Sequence, residues 1–304
     1  MTKRPAHTPT TTRRLERALG DRMRACLPGW VAELVMFVLK MGWSALFGIS
    51  LLFAIILTKA IWQGGWTVHR YDALVLIAVG LQVLFLALKL ETWAEARVIL
   101  LFHATGTAME IFKVHAGSWA YPEAGLLKFF GVPLFSGFMY ASVGSFMART
   151  IRVFDMRFAP YPPFWATLLL ATAIYVNFFA HHFVPDIRVG LFAATLILFS
   201  RTRIWYRIGA NLYWMPLPLA AFLSAVFLWI AENIGTMTGT WVYSGQARLE
   251  LVSIGKLGSW YLLLYVAFVT VTIVVRGPLS AAPLVRSDLA TTEPPEEMPA
   301  RSAG

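Results

Sequence analysis

Cysteine is almost missing from the chain: Cys26 is the only one among 304 residues. That excludes an intrachain disulfide framework and any cysteine-rich metal site. Charge is scarce too, at 14% of residues, and acidic residues are the scarcer kind, 16 against 26 Lys and Arg. No phosphate loop, dinucleotide fingerprint or nucleophile elbow occurs, and pairs such as Gly64-Gly65 read as turns. The first 30 residues lack an apolar core followed by a small-residue cleavage site, so no cleavable signal peptide is expected. The formal charge of +10 does not point to nucleic acid. Its bearers sit mostly in the N-terminal arm and in short loops, where they would set membrane orientation instead.

What the chain does have is apolar surface. A hydrophobic fraction of 58%, a mean hydropathy of +0.63 and 12 Trp place it among polytopic membrane proteins. Hydrophobic runs fall at about 41–57, 73–88, 98–111, 132–148, 164–179, 187–200, 208–234 and 257–275. A span needs about 20 residues, so the third and sixth runs must borrow flanking residues. The expected fold class is all-α: a transmembrane helical bundle of about eight spans, or seven if the sixth run is re-entrant. Residues 1–14 read as a Thr-rich basic arm. Leu15, Leu19, Met23 and Leu27 interleave with Arg17, Arg22 and Arg24 in a basic amphipathic pattern, suited to an anionic leaflet and equally to a solvated helix. The domain expectation is a cytoplasmic arm at 1–30, a membrane domain at 31–277 and a disordered cytoplasmic tail at 278–304.

With the N-terminus inside, only Lys59, Arg70, Lys113, Lys128, Arg188, Arg248 and Lys256 fall in segments expected outside, out of 26 Lys and Arg. That bias predicts cytoplasmic termini. Pro216 and Pro218 suggest a kink in the seventh span. Glu91 and Glu95 read as solvated loop charges beside Lys89 and Arg97, with no role.

One pattern occurs twice. Glu110, Gly117, Trp119 and Tyr121 are repeated as Glu232, Gly239, Trp241 and Tyr243, at the constant offset 232 − 110 = 122. Gly can turn the chain while Trp and Tyr anchor it at a membrane interface. The carboxylates are harder to explain that way, since a charge within a span costs about 2.5–3.5 kcal/mol. Each motif would fall between the third and fourth span of a four-span half. Two parallel repeats, about 31–150 and 160–277, are therefore expected, with a weak continuation of the match at 136–138 and 258–260.

His103, Gly106, Thr107 and Glu110 share one helical face, which would point to protein or water and could equally serve helix packing. Asn177 and His181 share another face, with His182 beside them. The candidate site is thus Glu110, Glu232 and His103 as catalytic groups, and Thr107, Trp119, Tyr121, Asn177, Trp241 and Tyr243 as substrate contacts. His181 and His182 are candidate ligands for a divalent metal, for which imidazole with carboxylate would suit zinc or iron, although no Glu-x-x-His spacing supports it. Glu110 and Glu232 are expected to line one cavity with His103 and His181 or His182.

The stretches 103–110, 117–123, 133–140, 177–182 and 232–241 resemble the YoaT-like bacterial integral membrane family, catalogued as domain of unknown function 817, over about residues 30–277. The resemblance implies a multipass protein of the bacterial inner membrane and supplies no activity. The Glu-x-x-Gly-x-x-x-Gly-x-Trp-x-Tyr run at 232–243 is also similar to motifs of membrane carotenoid cyclases and hydratases, where an embedded carboxylic acid protonates an isoprenoid double bond. The functional expectation is an intramembrane enzyme acting on an apolar, isoprenoid-like lipid by glutamate acid–base chemistry. A proton-coupled transporter of a small molecule and a purely structural membrane protein are the alternatives. The bilayer and such a lipid are the expected partners, nucleic acid is not, and oligomeric state is left open.

Overall fold

A computed structural model describes residues 11–63, 65–180, 183–209, 211–245 and 250–284, and only the main chain for 11–17 and 24. Its helices, in order, are α1 (Thr11–Cys26), α2 (Gly29–Ser44), α3 (Leu46–Ile61), α4 (Arg70–Ala87), α5 (Trp93–His115), α6 (Phe135–Val153), α7 (Phe164–Ala180), α8 (Arg188–Phe199), α9 (Leu217–Met237) and α10 (Ile254–Val274). Short strands interrupt them: β1 (Trp119–Ala120), β2 (Lys128–Phe129), β3 (Val132–Pro133), β4 (Arg157–Ala159), β5 (Arg203–Ile208), β6 (Asn211–Pro216) and β7 (Val242–Tyr243). The fold is therefore mostly helical, with strands that an all-α expectation omits.

Among the described residues three helices, α4, α9 and α10, are long and apolar enough to cross a membrane; α2 and α3 make a fourth if taken together across their 69° bend. That bend falls at Ala45, inside the run expected to be one continuous span. Helix α5 has 23 residues but carries Glu95, Arg97, Glu110 and Lys113, and α6 carries Arg149 and Arg152. At 12 residues, α8 is about 18 Å long, against a hydrocarbon core of about 30 Å.

The seventh run is corrected most. Ile208 ends β5 and Asn211–Pro216 form β6, and the two strands pair from Arg203↔Pro216 to Ile208↔Asn211. Their β-branched and aromatic side chains suit a strand, and apolar content alone could not separate that from helix. Pro216 then caps α9 and Pro218 lies in its first turn, where a missing N–H costs nothing. The prolines start the helix; they do not kink it. The third strand, β4, joins this sheet through β5. Residues 278–280, expected in the tail, pair with β4: the Phe158 N–H donates to the Pro278 carbonyl and the Ser280 N–H to the Phe158 carbonyl. Residues 285–304 lie outside the described residues.

Helices α5 and α6 form the spine. Gly106 has the side chain of Tyr140 where its own Cβ would be, and Gly137 receives the His103 ring and the Thr107 hydroxyl. Close approach of this kind is the usual service of small residues in apolar bundles. Around the spine, Val98, Phe102, Ile174, Phe199, Tyr265 and Val271 join α5, α7, α8 and α10 in one core. In α1, Leu19 and Met23 pack against the group built on Met36 and Phe154, so that face of the amphipathic segment is covered by the bundle.

Candidate functional site

Both motif helices end in the same way. The Ser118 N–H donates to the Lys113 carbonyl and the Gly117 N–H to that of Val114; at the second copy Thr240 donates to Gly235 and Gly239 to Thr236. These are paired Schellman caps. Gly117 and Gly239 take φ of +72° and +64°, a region that disfavours any residue with a Cβ. The glycine turns each chain back over its own helix end, so the Trp and Tyr that follow reach the Glu two turns earlier.

There the motif closes on itself. Glu110 Oε2 accepts from the Trp119 indole N–H at 2.7 Å and the Tyr121 hydroxyl at 2.9 Å, while Oε1 accepts from the Tyr140 hydroxyl at 2.6 Å. Glu232 Oε1 accepts from Trp241 at 3.2 Å and from Tyr243, and Oε2 from the Trp260 indole. Both carboxylates are buried. Each therefore loses its water and regains three neutral donors, the arrangement a buried acceptor requires. Burial, and next the neighbouring Glu110, hold the Tyr121 phenol well above its ordinary range; burial and Glu232 do the same to Tyr243. Both remain protonated donors.

The two cages share a seam. Strands β1 and β7 pair antiparallel, with Trp119 opposite Tyr243 and Ala120 opposite Val242. Ala120 and Val242 are also equivalent under the motif offset, 242 − 120 = 122. The pairing thus relates the two motifs by a local two-fold about that pair. The rings of Trp119 and Tyr243 meet at 5.8 Å, and those of Tyr140 and Trp260 at 6.3 Å.

Both glutamates open on one cavity of about 1120 Å³, at or above the upper end for small-molecule sites. Trp119, Tyr121, Trp241 and Tyr243 line it, as do Tyr140 and Trp260. Away from the glutamates the walls turn apolar, with Phe37, Met41, Ile151, Met156, Phe158 and Met215 toward the end that holds the three-stranded sheet. The cavity also reaches the flank of the bundle. Val38 and Ile49 on one side, and Leu223 and Phe227 on the other, line it and are exposed, so an opening lies between α2–α3 and α9.

Other expected site residues stand elsewhere. His103 and Thr107 face α6 at Gly137, the His103 ring lying 4.4 Å from that of Phe138, and neither lines the cavity. Sharing a helical face with Glu110 was not sufficient, because α6 covers the earlier turns of that face. Asn177 is absorbed in a turn, donating to Asp186 at 3.0 Å and accepting from the Ile187 N–H at 3.1 Å. His181 and His182 lie outside the described residues. Among the described residues no group of three or more His, Cys, Asp and Glu is placed to hold a metal ion.

Glu91 and Glu95 are a further correction. Glu91 is sealed with Arg149 at 2.7 Å, both side chains at 0% exposure, and also accepts from Ser145 and Gln82. Glu95 pairs with Arg152 at 2.8 Å and completes a capping box with Thr92. Charges read from sequence as solvated thus join α6 to the start of α5. Arg70, expected in an outer loop, is likewise buried, reaching Glu123 and Thr240.

Sequence reasoning assigned no role to Tyr140 or Trp260. They follow their glutamates by 30 and 28 residues, so a fixed offset cannot register them as equivalents. Lys113, Arg188 and Lys256, which also line the cavity, were read only as orientation charges.

Over 203 residues the chain is 48% identical to the "Uncharacterized protein YoaT" of Bacillus subtilis (strain 168), covering 66% of this chain and 77% of that protein. No solved structure matches. The family model described as "Protein of unknown function (DUF817)" matches residues 33–268, and the chain belongs to that family.

Proposed function

We propose that this protein is an intramembrane enzyme that binds an apolar, isoprenoid-like lipid in the cavity and transfers a proton to it from the Glu110–Tyr140 pair. The observation that carries the reading is the cavity's polarity: two caged carboxylates at one end, apolar walls beyond, and an opening on the flank of the bundle. A lipid could enter sideways and place its reactive bond beside the cages.

The cages differ in one respect that assigns roles. A phenol can donate or accept a hydrogen bond, whereas an indole N–H only donates. Glu110 Oε1 faces a phenol alone, Tyr140, so a proton on that oxygen can be donated to Tyr140. Two of the three partners of Glu232, Trp241 and Trp260, can only donate, and Tyr243 shares Oε1 with one of them, so this cage favours the carboxylate. Glu110 is the acid and Glu232 the fixed anion. In the proposed step the Tyr140 hydroxyl gives its proton to an alkene carbon and takes the proton of Glu110. This leaves a carbocation on the lipid and a carboxylate at Glu110. The Glu232 carboxylate and the aromatic faces of the cages stabilise the cation. Loss of a proton from the cation back to Glu110, or addition of water with one of the water protons passing to Glu110, completes the reaction and restores the acid.

The bundle is proposed to lie in the bacterial inner membrane with about eight spans, cytoplasmic termini and two parallel halves. Support comes from the charge bias and from the local two-fold at β1–β7. Proton-coupled transport is the second reading. It calls for polar groups along the whole path, and the walls beyond the cages are mainly apolar.

The test compares lipid extracts of cells lacking the protein with cells expressing wild type, Glu110→Gln or Ser224→Phe, the last placing a ring in the cavity wall. An altered isoprenoid-like lipid restored by wild type and by neither variant is expected. Unchanged lipids with an altered soluble pool would replace the enzyme by the transporter.

A further inference from the structure

The cages take up the glutamates with neutral donors, which leaves open what the cations of the same cavity are for. Lys113 from the end of α5, Arg188 from the start of α8 and Lys256 from the start of α10 all line it. They come from three separate helix ends, and the path of the chain brings them to the end that bears the glutamates. Lys113 is 2% exposed and lies 4.1 Å from the centre of the Phe178 ring. Lys256 lies over the Tyr243 ring at 3.9 Å and within 5.5 Å of that of Trp119, across the seam between the cages. Arg188 pairs with Asp186 at 3.2 Å. The serines Ser118, Ser253 and Ser259 stand in the same part of the wall.

Cations from three helix ends converge on a confined, largely apolar space, where an anion is attracted strongly. Arg188 also meets Asp186, which does not line the cavity, and Glu110 and Glu232 spend their oxygens on neutral donors. An apolar chain along the walls with an anion at this end satisfies both parts of the cavity.

From this juxtaposition we infer that the lipid carries an anionic head group, a phosphate or carboxylate, seated among Lys113, Arg188 and Lys256 with its single chain in the apolar part of the cavity. The inference rests on the proposed lipid binding and adds the charge of the head. It also fixes direction: the head lies at the rim and the alkene nearest to it lies beside Tyr140. The neutral donors around the glutamates make this tolerable, since they spread the carboxylate charge over indoles and phenols on the side facing the head.

The experiment measures binding of farnesyl phosphate, palmitate and farnesol to the purified full chain in detergent, read by fluorescence of the tryptophans lining the cavity. Farnesyl phosphate or palmitate is expected to bind at least about tenfold more tightly than farnesol, as one charge-assisted contact commonly provides. Whichever of the two binds more tightly identifies the head as phosphate or carboxylate. Lys256→Met keeps the apolar stem over Tyr243 and removes the charge; it should weaken the anionic probe about tenfold and leave farnesol unchanged. Arg188→Gln, at the more exposed rim, provides the same contrast should Lys256→Met fold poorly. Equal binding of farnesol and both anions, unaffected by either substitution, overturns the anionic head and leaves the lipid cavity standing. If none of the three binds, the lipid reading falls and the head group with it.

Discussion

Replacing each glutamate by glutamine separates the two cages, although the motif around them is the same. In Glu110→Gln the amide oxygen takes the place of Oε2 and still accepts from Trp119 and Tyr121. The amide nitrogen replaces Oε1 and donates to Tyr140, which reverses its hydroxyl and accepts. Trp119 and Tyr121 keep their acceptor and Tyr140 keeps one hydrogen bond, so the cost should be about 1 kcal/mol, near the difference between charge-assisted and neutral hydrogen bonds. In Glu232→Gln the amide nitrogen must face either Trp260 or Trp241. Both are indoles, so an N–H meets an N–H in a buried site. One unsatisfied donor costs about 1–3 kcal/mol, and the attraction between Glu232 and Lys256 is lost as well. The expected gap between the variants is about 2 kcal/mol, which corresponds to roughly 3 °C in melting temperature for a chain of 304 residues. The assay is fluorescence-monitored melting of both variants in the same detergent. In the Glu232→Gln background, Trp260→Tyr should recover part of the loss, because a phenol can accept where an indole cannot. Equal melting of the two variants, or a larger loss in Glu110→Gln, would refute the donor–acceptor reasoning and with it the assignment of acid and anion.

Four further outcomes are expected. Gly235→Ala sets a Cβ 1.8 Å from the Trp241 ring and should cost at least about 1–3 kcal/mol by overpacking, seen as a lower melting temperature together with altered tryptophan fluorescence. Arg149→Leu leaves Glu91 buried without its cation and should cost about 3–5 kcal/mol; adding Glu91→Leu should restore much of it, and a double variant no better than the single one would count against the ion pair. Because Tyr121 and Tyr243 are held above the ordinary phenol range in the folded chain, the unfolded chain ionises first as pH rises past about 10. Their contribution is full below that pH and is lost above it, so Tyr121→Phe should flatten the alkaline fall in melting temperature. Reporter fusions at residues 121, 158 and 243 should read outside, inside and outside, and an outside reading at 158 would overturn the proposed topology.

The sequence by itself determined the apolar helical character and the repeated Glu-Gly-Trp-Tyr pattern. Both are local: hydropathy accumulates along a run, and a Schellman turn needs only a glycine at its left-handed position, so the distances from Glu to Trp and Tyr are set within twelve residues. For the same reason Trp119, Tyr121, Trp241 and Tyr243 could be named beside their glutamates without knowing the fold. The third donor of each cage could not, because Tyr140 and Trp260 arrive from other helices at unequal distances along the chain. Nor could the different fates of His103 and Glu110, which share a helix face; packing of α6 at Gly137 covers one and leaves the other on the cavity. The strands at 203–208 and 211–216 were hidden because Arg203 and Arg207 read as loop charges, while the apolar stretch that follows was continuous in hydropathy with the helix beyond Pro216. Glu91 and Arg149, 58 residues apart, look like ordinary loop and helix-end charges until α5 and α6 close around them. Tertiary structure alone decided which charges are buried, which face water and which three cations meet at the cavity, because long-range electrostatic partners depend on how helices pack and leave no pattern in sequence spacing.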